Sequence, residues 1–182
     1  MRKNITLLFF FLLSACQPMP LETETPTLPT IEFPANAQSE VIQIPLDIGF
    51  GVDGGWYELY FTDPTHPEAD SLRGGPDRSL ASAIDDARLS VDLAVYSFSL
   101  WSIRDALLDA LHRGVQVRIV MESSNRDRDV PQELIDAGIT ILGDRREGLM
   151  HNKFVIIDRS ELWLGSMNFT IGGGYEDNNN LL

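Results

Sequence analysis

The polar side chains best suited to chemistry lie close together near the end of the sequence. His151 and Lys153 come first, Asp158 follows, and Ser166 and Asn168 come last. A histidine can act as a nucleophile or an acid–base group, lysine supplies positive charge, and serine and asparagine supply neutral donors. Such a group of donors, with no obvious acidic neighbour at its start, is suited to an anion and in particular to a phosphate.

The surrounding residues predict a β-hairpin. β-Branched and aromatic residues favour strands over 151–157 and 162–168. Alternate side chains of a strand share a face, so His151 and Lys153 point the same way. A half-exposed hairpin with polar residues facing water is the alternative, but residues 154–157 have the composition of a buried strand.

The length of the hairpin loop sets which polar residues meet. A polar loop of four residues, 158–161, would place Lys153 opposite Ser166 and His151 opposite Asn168. We therefore expect the four side chains to converge on one phosphate-binding patch of the sheet.

Residues 151–168 read H-x-K-x(4)-D-x(6)-G-S-x-N. This pattern resembles the motif of the phospholipase D superfamily, and the resemblance extends over the chain from about residue 57. It implies a phospholipase D-like half-domain in which the hairpin carries the catalytic residues. It also implies a phosphodiester substrate, either a phospholipid or a nucleic acid.

The resemblance assigns roles to the polar residues of the motif. His151 would attack phosphorus and form a phosphohistidine, while Lys153 and Asn168 would bind the non-bridging oxygens with support from Ser166. Asp158 belongs to the catalytic motif, and its distance along the strand favours an orienting role over proton transfer. No cofactor and no metal are expected, because lysine supplies the charge that a metal would otherwise supply.

The same resemblance implies a second motif. A nucleophilic histidine cannot also protonate the leaving group in the same step, and neither His66 nor His112 shows the pattern. We expect either an N-terminal half that is incomplete at its C-terminus, or a subunit that completes its site in a homodimer. Relatives often carry an acidic residue after the motif, for which Glu176 and Asp177 are the candidates.

The rest of the sequence predicts the scaffold. Helical patterns with one apolar face follow Pro76, Ser102 and Asp129, and they alternate with β-rich runs. This alternation predicts an α/β domain over 41–182, a mixed β-sheet flanked by helices. The further predicted strands are 57–61, 91–97, 115–121 and 139–142.

The N-terminus indicates export and anchoring. Two basic residues and a short apolar run precede Leu13-Ser14-Ala15-Cys16, which resembles the lipobox of bacterial lipoproteins. Residues 1–15 are therefore predicted to be a lipoprotein signal peptide, with lipid attached to Cys16. Residues 16–40 are rich in Pro and Thr and predict an extended tether. We expect an extracytoplasmic protein of the bacterial cell envelope, held to the membrane by its lipid; plain secretion is the alternative.

The composition favours one class of substrate over another but does not decide the function. The net charge of −13 argues against broad, sequence-independent binding to nucleic acid. A phospholipid head-group ester is therefore the favoured substrate. A metal-independent endonuclease of the same superfamily and an inactive binding lipoprotein are the alternatives. The arginines that would favour the endonuclease are Arg126, Arg128, Arg145 and Arg146.

Overall fold

The computed structural model describes residues 41–182, so the predicted signal peptide, Cys16 and the tether lie outside the described residues. Two β-sheets and three α-helices make up this part of the chain. The strands are β1 (Ile42–Ile44), β2 (Phe50–Asp53), β3 (Glu58–Phe61), β4 (Ser90–Val95), β5 (Gln116–Met121), β6 (Thr140–Gly143), β7 (Lys153–Ile157), β8 (Glu161–Leu164) and β9 (Asn180–Leu181). The helices are α1 (Pro76–Asp86), α2 (Trp101–His112) and α3 (Asp129–Asp136).

The larger sheet has the strand order β6-β5-β4-β7-β8. Strands β4, β5 and β6 are parallel, whereas β7 is antiparallel to β4 and β8 is antiparallel to β7. The mixed sheet flanked by helices that the sequence predicts is therefore confirmed. Two crossovers join neighbouring parallel strands through α2 and α3, which places both helices on the same face of the sheet.

The core lies between that face and the helices. Alternate residues of the strands point into it, and one stripe of each helix packs against them. Its fully buried members include Leu80, Ile84, Val91, Ile103, Leu107, Ile119, Leu134 and Val155. The opposite face of the sheet carries apolar side chains that are exposed, among them Val120, Leu142 and Leu162.

The smaller sheet is antiparallel, with the order β1-β2-β3-β9, and the sequence predicted β3, as 57–61, within it. Strand β9 has only two residues, yet Leu181 pairs with Tyr60 of β3 and also forms a bridge with Gly165, just after β8. The last residues of the chain thus join the two sheets beside the predicted hairpin. No helix within 41–182 combines the length and the apolar character needed to cross a membrane.

A buried polar cluster fixes α1 against the segment that follows the hairpin. The Asp77 carboxylate is 2% exposed and accepts hydrogen bonds from the hydroxyls of Tyr175 and Ser102. Burial, together with the charge of Asp77, raises the pKa of the Tyr175 hydroxyl far above its usual range. Tyr175 lies in a π-helical turn, Gly172–Glu176, so this cluster holds that turn in place.

Candidate active site

The candidate site lies where β4 and β5 end and β7 begins. The last residues of β4, β5 and β6 are Val95, Met121 and Gly143, which adjoin one another in the parallel register. Lys153, the first residue of β7, pairs with Val95. We call this margin of the sheet the site edge. Carboxyl ends of parallel strands are a common place for ligand sites, because the loops that follow them converge there.

His151 lies two residues before β7 and is exposed. Its imidazole meets the Tyr96 ring edge to face, with 4.8 Å between the ring centroids and 71° between the ring planes. The Tyr96 amide donates a 2.8 Å hydrogen bond to the carbonyl of Asn152, which fixes the backbone next to His151. The histidine is thus accessible to a substrate while its backbone is held.

Lys153 lies beside the histidine on the same aromatic ring. Its Nζ donates a 3.0 Å hydrogen bond to the carbonyl of His151 and lies 5.7 Å from the centroid of the Tyr96 ring. Burial lowers the pKa of the Lys153 ammonium from its ordinary value. No carboxylate within residues 41–182 forms an ion pair with Lys153, so the charge stays available for an anion.

The predicted register of the hairpin is wrong by one residue. Ile157 pairs with Glu161 and Phe154 with Leu164, so the loop has three residues rather than four. Asp158 and Arg159 both adopt positive φ, 51° and 60°, and this turn is tighter than the loop expected from composition. A shift of one residue reverses the face of every side chain on the second strand.

The second predicted strand also ends early, at Leu164, so Ser166 and Asn168 lie in the segment after β8 rather than in the ladder. That segment still reaches the end of β4, because the carbonyl of Phe169 accepts a 2.8 Å hydrogen bond from the amide of Ser99. The predicted pairs of Lys153 with Ser166 and His151 with Asn168 do not form. Ser166 and Asn168 nevertheless follow the end of β8 that adjoins the start of β7, where Lys153 lies.

Asn168 carries an unsatisfied group. Its side-chain oxygen is buried and has no hydrogen-bond partner among the residues that the structure describes. Gly173 lies so close that a Cβ there would be 2.2 Å from the Asn168 carbonyl oxygen, which holds the Asn168 backbone in place. An amide in this position can accept from a ligand or, rotated by half a turn, donate to one.

Ser166 is bound to the end of the chain rather than to Lys153. Its hydroxyl donates to the side-chain oxygen of Asn179 over 2.9 Å and accepts from the amide of Asn180 over 3.0 Å. Glu176 and Asp177, the acidic candidates after the motif, are both exposed. The side chains that bond to the motif from this segment are therefore those of Asn179 and Asn180, the latter accepting a 3.3 Å hydrogen bond from the Ser166 amide. The sequence did not indicate either as a site residue.

Asp158 lies at the far end of β7 from His151. Its carboxylate accepts hydrogen bonds from three successive backbone amides, those of Arg88, Leu89 and Ser90, over 2.7–3.2 Å. Hydrogen bonds from the amides of Ser90, Leu89 and Arg88, in that order, hold the pKa of the Asp158 carboxyl below its usual range. This geometry leaves Asp158 as an ionised acceptor that fixes the start of β4.

Glu122 directly follows β5 and is 7% exposed. Its carboxylate accepts a 2.9 Å hydrogen bond from the amide of Met150, the residue before His151, and two more from Ser124. The hydrogen bonds from Met150 and then Ser124 lower the pKa of the Glu122 carboxyl. An ionised, buried carboxylate therefore holds the loop that leads to the histidine.

Sequence reasoning missed Tyr96 and Glu122, although a signal for both was present. Glu122 directly follows the predicted strand 115–121, and Tyr96 lies near the end of the predicted strand 91–97; both strands belong to parallel crossovers. The rule that residues just beyond the carboxyl ends of such strands face a common edge would have selected them.

The other histidines lie apart from this arrangement. His112 ends α2, and because α2 runs back across the sheet it lies at the opposite margin from the site edge. His66 lies in the loop after β3, where its Nδ1 accepts from the amide of Glu68. Within residues 41–182, no three His, Cys, Asp or Glu side chains come together as a metal site would require.

Both a protein-family model and curated protein sequences match this chain. Residues 80–182 match the family model described as cardiolipin synthase, PLD-like domain. The phospholipase D of Rickettsia bellii is 36% identical over 110 residues, which cover 59% of this chain and 55% of that protein. The mitochondrial cardiolipin hydrolase of Xenopus tropicalis is 32% identical over 98 residues, covering 53% and 47% respectively. The chain thus spans about half the length of the curated relatives it matches.

Solved structures show the same fold. Nuc from Salmonella typhimurium, a phospholipase D family member, superposes with a TM-score of 0.55 and 28% identity, over 68% of this chain and 78% of that one. NucT from Helicobacter pylori superposes with a TM-score of 0.52 and 24% identity, over 68% and 80%. The second likeness concerns the fold alone.

Proposed function

The chain belongs to the phospholipase D superfamily, and we propose that it hydrolyses a phosphodiester through a phosphohistidine at His151. The observation that carries the proposal is the arrangement at the site edge. An exposed imidazole and a partly buried ammonium lie on one aromatic ring. In the segment after β8, the side-chain oxygen of Asn168 is buried and has no hydrogen-bond partner among residues 41–182.

The reaction has two displacements at phosphorus. In the first, a ring nitrogen of His151 forms a bond to phosphorus while the bond to the leaving oxygen breaks, and that oxygen takes the electron pair and a proton from an acid. In the second, water attacks phosphorus and gives a proton to the conjugate base of that acid, while the P–N bond breaks and the histidine nitrogen keeps the electron pair. Lys153 and the Asn168 amide bind the non-bridging oxygens and stabilise the charge that develops on them.

The acid must come from outside this motif. His151 is bonded to phosphorus when the leaving oxygen needs its proton, and Asp158 is ionised and lies at the other end of β7. We infer that a second motif supplies it, in a further part of the protein or in a second copy of this chain. Specific activity that falls on dilution, in parallel with loss of dimer in analytical ultracentrifugation, would identify the second copy.

A phospholipid head-group ester is the substrate we favour. The proposed lipid at Cys16 would hold the domain at a membrane surface, where such esters lie. Residues 41–182 are strongly acidic, which is unfavourable to a long phosphate backbone. The relatives from Rickettsia and Xenopus are named for lipid-hydrolysing activities, which supports the same choice.

A nucleic-acid substrate is the second candidate, favoured by the arginines near the site edge. Arg145 and Arg146 are exposed in the loop that runs from β6 to His151, where they could bind neighbouring phosphates. Arg126 is less available, because its Nε donates to the carbonyl of Ile141. Arg128, at the start of α3, is also exposed. Three exposed arginines offer a much smaller basic surface than most phosphate-tracking proteins use.

One set of assays separates these candidates. The full chain is incubated in EDTA with phosphatidylcholine vesicles and, separately, with plasmid DNA. Release of choline with intact plasmid supports the phospholipase, and nicking of the plasmid without choline release supports the endonuclease. Absence of both activities contradicts the proposed reaction and favours a binding lipoprotein. Activity that EDTA abolishes contradicts a mechanism that relies on Lys153 for charge.

Membrane anchoring through Cys16 is a separate proposal. Expression in bacteria supplied with labelled palmitate should label the wild-type protein and leave Cys16→Ser unlabelled. A labelled Cys16→Ser variant, or an unlabelled wild-type protein found in the medium, would contradict the anchor and indicate plain secretion.

A further inference from the structure

Tyr96 is an aromatic residue at the site edge to which the proposed mechanism gives no role. It directly follows β4, and its backbone is fixed on both sides. Its amide donates to the carbonyl of Asn152, and its carbonyl accepts a 2.7 Å hydrogen bond from the side chain of Asn125. Asn125 is itself 3% exposed, so this anchor is buried. The backbone of Tyr96 is therefore held on one side by a buried side chain of the core and on the other by the residue next to His151.

The ring contacts both groups that are to act on phosphorus. The His151 imidazole meets it edge to face at a centroid distance of 4.8 Å. The Lys153 ammonium lies 5.7 Å from the same centroid, within the range in which a cation is attracted to an aromatic face. Edge-to-face geometry is a preferred arrangement of two aromatic rings, so the contact favours one orientation of the imidazole.

Both contacts matter because, among residues 41–182, the Lys153 ammonium has one hydrogen bond and the His151 ring has none. His151 is exposed, and its ring makes no side-chain hydrogen bond within the described residues. The Lys153 ammonium donates to the carbonyl of His151, so the two residues also restrain each other. Burial lowers the pKa of that ammonium, because the charged form loses contact with water.

We propose that Tyr96 is a positioning residue of the active site, whose ring sets the orientation of the His151 imidazole and the place of the Lys153 ammonium relative to one phosphate. The inference rests on the proposed function, because it concerns the same two groups. The aromatic face is the part that acts, and the hydroxyl is dispensable. An imidazole misplaced by about 1 Å is expected to cost on the order of 10²-fold in rate.

The test compares Tyr96→Phe with Tyr96→Leu. Kinetics on bis(p-nitrophenyl) phosphate should show a kcat close to wild type for the phenylalanine variant. The leucine variant should lose kcat by about 10- to 100-fold with a much smaller change in KM, because orientation affects the transition state more than ground-state binding. Equal losses in the two variants, or wild-type kcat in the leucine variant, would overturn the inference.

A matched control comes from the turn between β2 and β3. Tyr57 meets Trp56 edge to face, also at a centroid distance of 4.8 Å, and within residues 41–182 its ring makes no aromatic contact with His151 and no cation–ring contact with Lys153. Tyr57→Leu should leave kcat unchanged. An equal loss of kcat in Tyr57→Leu and Tyr96→Leu would mean that the effect is general to aromatic truncation, and it would contradict a positioning role for Tyr96.

Two further measurements do not require turnover. Inorganic phosphate should bind the wild-type protein and Tyr96→Phe with similar affinity, and Tyr96→Leu several-fold more weakly. Cross-relaxation between the ring protons of Tyr96 and His151 should be seen by NMR in the wild-type protein. This measurement tests the contact between the two rings even if the leucine variant does not fold. Absence of the cross-relaxation contradicts the inference. If the wild-type enzyme hydrolyses no phosphodiester although the NMR contact between the two rings is present, the proposed function is contradicted. The placement of the His151 ring by Tyr96 is then still supported.

Discussion

Strand β7 carries motif residues at both of its ends, and the two ends are built differently. At the first end the Lys153 ammonium meets only a carbonyl and an aromatic ring, and His151 is exposed. At the other end the Asp158 carboxylate is surrounded by three backbone amides. At the first end the Lys153 ammonium can still bind an anion. At the other end the charge of the Asp158 carboxylate is fully satisfied by backbone N–H groups.

This contrast shows that one motif can combine two physical roles. A group that must act on a substrate keeps some of its bonding capacity open, at a cost in stability. A group that fixes the fold has that capacity filled by backbone donors. Residues of the first end should therefore affect activity without affecting stability, and Asp158 should do the reverse.

The largest expected effect is that of His151→Ala. Removal of the nucleophile should lower kcat by on the order of 10⁴-fold or more, while the midpoint of thermal unfolding stays close to wild type. His112→Ala, which removes an exposed histidine at the opposite margin of the sheet, is the control and should retain full activity. Persisting activity in His151→Ala would exclude His151 as the nucleophile.

Lys153→Met should have the next largest effect. The substitution keeps an apolar stem against Tyr96 and removes the charge, so kcat should fall by about 10²- to 10³-fold. Thermal unfolding measured in parallel should show equal or higher stability, because a partly buried ammonium no longer has to be desolvated. A Lys153→Met variant that is less stable than wild type but keeps its activity would contradict this assignment, because Lys153 would then support the fold rather than the reaction.

Glu122→Gln should have a moderate effect on activity. The amide nitrogen of glutamine would face an N–H donor of Met150 or Ser124, so the loop before His151 loses one of its bonds. We expect kcat to fall about tenfold, less than the loss from a full 1 Å displacement. Glu133→Gln, which changes an exposed partner of Arg104, should leave kcat unchanged. Equal kcat in both variants would show that Glu122 does not position the loop.

Asp158→Asn should have the smallest effect on the chemistry and a clear effect on the fold. One oxygen becomes a donor that faces backbone N–H groups, so the unfolding midpoint should fall by about 5 °C while the folded protein keeps its kcat within about twofold. Asp127→Asn, at a fully exposed site, should change neither quantity. A large loss of kcat at unchanged stability would contradict the structural role of Asp158.

The acid dependence of stability gives a second check on Asp158. Its folded pKa lies below the value of about 3.9 found in an unfolded chain, so its stabilisation is present above that pH and is lost as the pH falls through the folded pKa. The difference in unfolding midpoint between wild type and Asp158→Asn should therefore be constant from neutral pH to about pH 5 and shrink below about pH 4. A difference that grows in acid would be inconsistent with an ionised acceptor.

Much of this organisation could be predicted from local features of the sequence. The period of the apolar residues predicts the parallel strands and the helices between them, and the motif spacing selects the residues of the hairpin. Both patterns predict the structure well because each depends on residues that are close together in the sequence. The mixed sheet and the hairpin were therefore predicted correctly.

The register, the second sheet and the supporting residues could not be predicted in this way. The register depends on two successive residues with positive φ, Asp158 and Arg159, which composition does not reveal. Strand β9 has two residues and exists only because β3 and Gly165 lie on either side of it. The contact of Glu122 with Met150 joins two loops 28 residues apart, so it requires the folded topology.

The most direct test of the account is to trap the covalent intermediate. The full chain is mixed with excess bis(p-nitrophenyl) phosphate, quenched in alkali while turnover is in progress, and digested for peptide mass spectrometry. We expect a p-nitrophenyl phosphoryl adduct on His151 in wild type and in Asp158→Asn, since one nitrophenolate has left. In Lys153→Met the adduct should form more slowly, in line with its lower activity. An adduct on another residue, or steady product formation with no adduct and no initial burst, would contradict the account.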